Sequence, residues 1–154
     1  MFGEDSLETM FVVTAFLFQI VLIVHFALRK WRFDIAQRYG WIVYGLSLPA
    51  AVVSLILLLG GKSWSFWLGG FIYLVWAIFA YIVEYVRGIR WRNPFNWRIG
   101  GPYVVLYLAT VMFYWWPLAL ISRPLWYAYA LLFIISTILN VSSHKGSEGD
   151  SQRI

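Results

Sequence analysis

Glu84 is the only acidic residue inside an apolar stretch of this chain, and chemistry is sought there first. A carboxyl group is expensive to hold in hydrocarbon, so one that is retained marks a candidate site. It could exchange a proton with a substrate or hold the polar end of a ligand. His25, Tyr44 and Asn140 belong to the same polar layer, each within ~5 Å of the end of an apolar segment. A competing reading pairs Glu84 with Arg87, three residues on along one helical face, as an internal ion pair reaching the headgroups. His25, four residues from Arg29, reads more simply as an interfacial imidazole.

A second polar layer lies deeper. Trp76 falls ~15 Å into its segment, Gln19 ~13.5 Å and Thr110 ~12 Å, all near the middle of a bilayer. The indole N–H of Trp76 needs an acceptor there, and Gln19 or Thr110 is expected to supply it, either as interhelical glue or as part of a ligand cavity. Gln19 and His25, six residues apart, point ~120° away from each other and are not expected to share a pocket.

Helical spacing collects these groups into stripes. Tyr73, Trp76, Ala80, Glu84 and Arg87 share one arc, and Tyr103, Tyr107, Thr110, Tyr114 and Pro117 share another. Tyr44, Ser47, Ala51 and Ser54 form a small-residue stripe, while Tyr129, Ser136 and Asn140 mark one face of the last segment. Phenols and hydroxyls need partners in hydrocarbon, so these faces should turn inward. The candidate ligand-binding set is therefore Glu84, Tyr44, Tyr103, Tyr107, Asn140, Trp76 and Thr110. No residue is assigned a catalytic role.

The longest polar connection reads RGIRWRNPFNWRIGG. Its arginines, Arg87, Arg90, Arg92 and Arg98, alternate with Trp91, Phe95 and Trp97, a pattern suited to anionic lipid at about 1 kcal/mol per basic group. Phosphate on a substrate, or a cytoplasmic partner, are the alternatives. Nucleic acid is not expected, because the adjoining membrane already uses the aromatic groups.

The elements that must position these residues follow from composition. Of 154 residues, 62% are hydrophobic and 12% charged, with a mean hydropathy of +0.72, whereas an ordinary soluble domain is roughly half apolar and about a quarter charged. Lipid is the solvent, and the expected fold is an all-α polytopic transmembrane bundle in a single domain. With no cysteine and two histidines, thiolate catalysis and cysteine-ligated metals are excluded, and no metal or cofactor is expected. There is no phosphate-binding glycine loop, dinucleotide fingerprint, nucleophile elbow or zinc-protease helix.

Five segments are long enough to span, at 10–28, 41–59, 66–86, 102–121 and 124–141, with 142–154 as a polar cytoplasmic tail. The last two are separated only by Ser122 and Arg123, and would reduce the count to four if they were one helix. A single helix of that length would be ~60 Å, twice the hydrocarbon core, so two spans and a tight turn are favoured. Pro49 should kink the second span and free the carbonyl of Gly45. Gly69 and Gly70 read as close-packing positions in the third.

Ten of the 12 basic residues fall on one side: Arg29, Lys30, Arg32, Arg38, the four loop arginines, Lys145 and Arg153. Lys62 and Arg123 face the other, beside an acidic N-terminus. The positive-inside rule then places the N-terminus outside and the C-terminus in the cytoplasm, and the expected location is a prokaryotic cytoplasmic membrane. The acidic leading segment is expected to remain attached rather than act as a signal peptide. Nine of the ten tryptophans fall near span ends as interfacial anchors, and Trp76 is left over.

These features favour a small membrane protein that binds a lipid-like or aromatic small molecule in an intramembrane pocket, or one that serves as an accessory subunit to a partner membrane chain or homo-oligomer. The alternative is a small membrane enzyme acting on a lipid, with Glu84 as acid or base. A transporter or channel comes third, since one acidic group and no visible repeat support it weakly.

Overall fold

In the computed structural model the chain is described for residues 3–89, 91 and 94–146, with the backbone alone for 144–146. Every element is a helix: α1 (Glu4–Trp31), α2 (Phe33–Tyr39), α3 (Trp41–Gly45), α4 (Ser47–Leu59), α5 (Trp64–Tyr81) with a π-helical extension (Ile82–Val86), α6 (Trp97–Ile121) and α7 (Arg123–Gly146). Five helical stretches are long and apolar enough to cross a membrane: Glu4–Trp31, Phe33–Leu59, Trp64–Val86, Trp97–Ile121 and Arg123–Ser143. The expected five-span all-α bundle is therefore present. The 60 Å alternative is excluded, because Ser122 is extended at φ −160°, ψ 126° and breaks α6 from α7. Pro124 sits in the first turn of α7, where its missing N–H leaves no helical bond unmade.

The helices form a closed ring in which each span packs on the next, α4 on α5, α5 on α6 and α6 on α7, while α1 closes the ring between α7 and α4. Phe18 of α1 fills the axis, its ring 4.6 Å from Tyr73, 5.3 Å from Tyr114 and 6.5 Å from Trp76. Leu17, Val52, Val75, Val105 and Ile138 face outward. The inward stripes read from the sequence are the buried ones: Tyr73, Trp76 and Ala80 on α5, Tyr107, Thr110, Tyr114 and Pro117 on α6, Tyr129 and Ser136 on α7.

The helix carrying α2 to α4 differs from the expected second span. Residues taken as a polar connection are instead helical, and Arg32 alone reverses the chain between α1 and α2. Further on, Leu46 interrupts the helix three residues before Pro49, which has no N–H to donate to the preceding turn. Two carbonyls loosened at this break are recaptured by side chains. The Tyr73 hydroxyl of α5 donates to the Val43 carbonyl, and the Ser47 hydroxyl donates to the Tyr44 carbonyl at 2.6 Å. In hydrocarbon such repair is what lets a broken helix persist.

Two glycines let α5 approach its neighbours. A Cβ at Gly70 would stand 2.1 Å from the Ser54 hydroxyl and 2.7 Å from the Ala50 carbonyl of α4, while one at Gly69 would meet Phe113 of α6 at 3.3 Å. Gly101 of α6 has nothing within 4 Å. Gly70→Ala should therefore force α4 and α5 apart and destabilise the bundle by about 1–3 kcal/mol. Gly101→Ala, which meets no neighbouring helix and gains helix propensity against contact of the new Cβ with the Pro102 ring, should be destabilising by less than Gly70→Ala. Thermal unfolding in one detergent measures both, and an equal response of the two variants would refute the close approach.

At the acidic end of the bundle Lys62, in the turn before α5, reaches Glu8 at 2.9 Å and Glu4 at 3.3 Å, one helical turn apart on α1. Burial works to lower the Lys62 pKa, but the hydrogen bonds and charges of Glu8 and Glu4 outweigh it, leaving the value above the ordinary 10.5. A raised lysine pKa means the charged form is favoured by folding, so its stabilisation is complete below pH 10.5 and is lost as pH rises through the raised value. The stability difference between wild type and Lys62→Met should be constant from pH 7 to 10 and shrink above 10.5. A difference that does not change over that alkaline range would show that the clamp carries no ionic stabilisation.

Candidate ligand-binding site at the basic end of the bundle

The helix of α5 changes character where Glu84 occurs. From Ile82 to Val86 the backbone takes the wider π turn, closed by Arg87 N–H donating to the Ile82 carbonyl at 2.8 Å. Such single-turn π segments displace side chains from the α-helical register and recur at functional sites. Gly88 then adopts φ +57°, a left-handed conformation that suits glycine, and Ile89 N–H returns to the Val83 carbonyl at 2.9 Å. The chain doubles back over the end of the bundle and seats Trp91 on Tyr103, ring centroids 4.7 Å apart.

Glu84 Oε2 accepts a 2.6 Å hydrogen bond from the Tyr44 hydroxyl of α3. This joins two of the candidate residues across the α3–α5 contact. Glu84 is half-buried, whereas Arg87, expected on the same stripe, follows the π turn and is exposed. Tyr44 is buried and packs edge-on to Trp76 at 5.7 Å and to Tyr85 at 6.2 Å. Trp76 continues the aromatic layer to Tyr103 at 5.5 Å and Tyr107 at 5.7 Å. Tyr44, Glu84, Trp76, Tyr103 and Tyr107 thus form one connected group. On its flank, His25 and the Tyr85 hydroxyl both border Gly40, where an added Cβ would lie 3.3 Å and 2.9 Å from them.

Beside this group a cleft of about 260 Å³ opens on the outer flank of the bundle, between α3–α4 and α5. Trp41, Gly45, Leu48, Ala77, Tyr81 and Ile82 line it, and Tyr44 stands at its inner wall. The lining is mostly apolar; its hydroxyl-bearing members are Tyr44, Ser47 and Tyr81, and of these Tyr44 is hydrogen-bonded to Glu84. A second cleft of about 180 Å³ lies between α1 and α4 under Pro49, bounded by Thr14, Phe18, Val53 and Tyr73.

The remaining candidates lie elsewhere. Asn140 is half-buried on α7, which packs mainly on α1 and α6. Thr110 is buried but its hydroxyl donates to the Leu106 carbonyl of its own helix at 2.9 Å. Gln19 turns to α7 and donates to the Ser136 hydroxyl at 2.6 Å. Neither satisfies Trp76, whose indole N–H has no hydrogen-bond partner among the described residues. The expected Trp76 bond fails because α1 packs on α7, which draws Gln19 away from α5. Arg98 is exposed at the start of α6, where its backbone N–H is capped by Asn96 Oδ1 at 3.1 Å. Arg90 and Arg92 lie outside the described residues.

Trp91 was expected at the interface and is instead only 5% exposed, packed on Tyr103 and Phe95. Trp31, Trp41, Trp64, Trp97 and Trp116 keep their exposed positions. Trp115 and Trp126 stack at 5.0 Å, with the Trp115 indole donating to the Trp126 carbonyl at 3.0 Å. The signal for Trp91 is its place three residues after a break in the helical pattern, Gly88, which loop composition alone does not distinguish from a solvated turn.

The fold is that of a small all-α helical membrane protein with a polar and aromatic group at one end. No known protein family, no curated protein and no solved structure matches the chain.

Proposed function

We propose that the protein binds a lipid-like or aromatic amphipathic molecule, its apolar part in the cleft between α3–α4 and α5 and its polar end at Tyr44 and Glu84. The observation that carries this reading is that Tyr44, a lining residue of an apolar 260 Å³ cleft, is hydrogen-bonded to Glu84 at 2.6 Å. An apolar pocket with a few convergent polar groups is the usual form of a small-molecule site. Because the cleft opens on the flank of the bundle, the molecule would enter sideways from the bilayer. The basic end is assigned to the cytoplasm by the positive-inside rule, in a prokaryotic cytoplasmic membrane, with Arg87 and Arg98 placed to meet anionic headgroups.

Purification into native-lipid discs followed by unbiased mass spectrometry tests the binding. Wild type should retain one recurrent small molecule above its proportion in the membrane. Gly45→Leu should lose it, because a side chain there meets only the Trp41 ring, at 3.7 Å, and extends into the cleft. Glu84→Gln and Tyr44→Phe should weaken retention of the same species. A bulk lipid profile in wild type, or a recurrent species unaffected by all three changes, overturns the reading. Conversion of an added lipid that is lost in Glu84→Gln would replace it with the enzyme, and a stoichiometric partner chain with the accessory subunit.

Orientation is tested separately. Single cysteines at Ser6, Ser63 and Ser122 should react with an impermeant thiol reagent on intact cells, and one at Ser147 should not. The reverse pattern would invert the assignment.

A further inference from the structure

Five polar atoms in the bundle core are buried without a hydrogen-bond partner among the described residues: Gln19 Oε1, Trp76 Nε1, and the hydroxyls of Tyr107, Tyr114 and Tyr129. None of these residues is more than 9% exposed, and Gln19 and Tyr129 are at 0%. They come from four helices, α1, α5, α6 and α7. An orphaned polar group in an apolar interior is destabilising by about 1–3 kcal/mol, so five of them together would be a heavy burden for one small bundle.

They are also neighbours. Gln19 is tied to Ser136 by its amide nitrogen, which leaves its carbonyl oxygen at the α1–α7 contact. Ser136 accepts from Gln19 and donates to the Phe133 carbonyl at 2.9 Å, which leaves its hydroxyl one acceptor lone pair. The Tyr107 hydroxyl of α6 approaches Ser136 without reaching full hydrogen-bond geometry, and its ring meets Trp76 at 5.7 Å. Tyr129 of α7 packs on Phe16 of α1 at 5.8 Å and Tyr114 of α6 on Phe18, also of α1, at 5.3 Å, which sets the phenols of Tyr107, Tyr114 and Tyr129 within electrostatic range of one another. Tyr107 and Tyr114 are two turns apart, ~10.5 Å along one face of α6, so one small molecule cannot serve both ends of the group.

The chemistry of the set restricts what it can hold. It contains one pure acceptor, one pure donor and three phenols that do both, and none of its members carries a charge at neutral pH. A cation would lack a countercharge and an anion would meet phenol and amide oxygens. A neutral group that both donates and accepts suits every member, and water needs two to four such partners.

We infer that Gln19, Trp76, Tyr107, Tyr114 and Tyr129 form an internal water-binding site in the middle of the bundle, holding at least two molecules. One bridges Gln19 and Tyr107 near Trp76, and another joins Tyr114 and Tyr129. This site is distinct from the Tyr44–Glu84 pair and does not depend on the reading of the flanking cleft.

The sign of a stability change tests it. If the hydroxyls were orphans, Tyr107→Phe, Tyr114→Phe and Tyr129→Phe would each remove a buried unpaired group and raise the melting temperature. If water bridges them, each should lower it, by about 2–4 °C. Radiolytic hydroxyl labelling of the wild type with mass spectrometry gives a second readout that needs no variant. Tyr114 and Tyr129 should be modified several-fold faster than Tyr73, which is equally buried but has its hydroxyl on the Val43 carbonyl. Melting temperatures equal to or above wild type overturn the inference, as does labelling no faster than at Tyr73. Native mass spectrometry showing an organic molecule that Tyr114→Phe releases would also overturn it.

Discussion

The closeness with which α5 lies against α4 is the contact on which the other features depend. Gly70 faces the Ala50 carbonyl and the Ser54 side chain at distances that leave no space for a methyl group. Side chains one turn and more below Gly70 inherit this approach. Tyr73 can reach the backbone of α3, Trp76 can enter the centre of the ring, and Glu84 can meet Tyr44. Were α5 a methyl group farther out, none of these three contacts could form with unbroken geometry. Gly69 on the adjacent face does the same toward Phe113 of α6, so α5 is held from two sides and carries the site between them.

The second governing condition is that hydrocarbon offers no hydrogen bonds. The chain nevertheless breaks its helices twice inside or near the spans, at Leu46 and at Ile82–Val86. At the first break Tyr73 and Ser47 take up the loosened carbonyls. At the second, the wider bond from the Arg87 N–H to the Ile82 carbonyl keeps the backbone satisfied, within the segment that carries Glu84. Both breaks lie along the α3–α5 contact, and the flanking cleft lies between them. Irregular backbone, the carboxylate and the apolar cleft thus share one location. Regular helix elsewhere, as in α7, presents Leu131, Ile134 and Ile138 outward and Tyr129 and Ser136 inward with no such interruption.

Aromatic packing replaces much of what aliphatic side chains do in other bundles. Phe18, Tyr73, Trp76, Tyr103, Tyr107 and Tyr114 are in mutual ring contact through the core. Large rings fill the axis of a five-membered ring of helices, which is wider than the centre of a four-helix arrangement. Their polar atoms accompany them into the interior. A core assembled this way contains more hydrogen-bonding groups than the protein itself can pair, and Tyr107, Tyr114, Tyr129 and Trp76 are where the surplus collects.

Much of this was legible before any coordinates. Five apolar lengths matched to a bilayer, with proline and serine between the last two, determine the number of helices, because hydrocarbon thickness admits few alternatives. The inward faces of α5, α6 and α7 were equally legible, since an amphipathic period reports which side of a helix avoids lipid. Glu84 and Tyr44 stood out by type and depth. Pairing was another matter. Periodicity places Gln19 at a depth but does not say which helix it faces, and α1 packing on α7 gave it Ser136 rather than Trp76. The π turn at Ile82–Val86, the helical α2 in place of a loop and the burial of Trp91 arise from backbone departures and long-range contacts. Local sequence constrains a residue's height and face, whereas its partner depends on the order of helices around the ring, and only the packed tertiary structure decides that order.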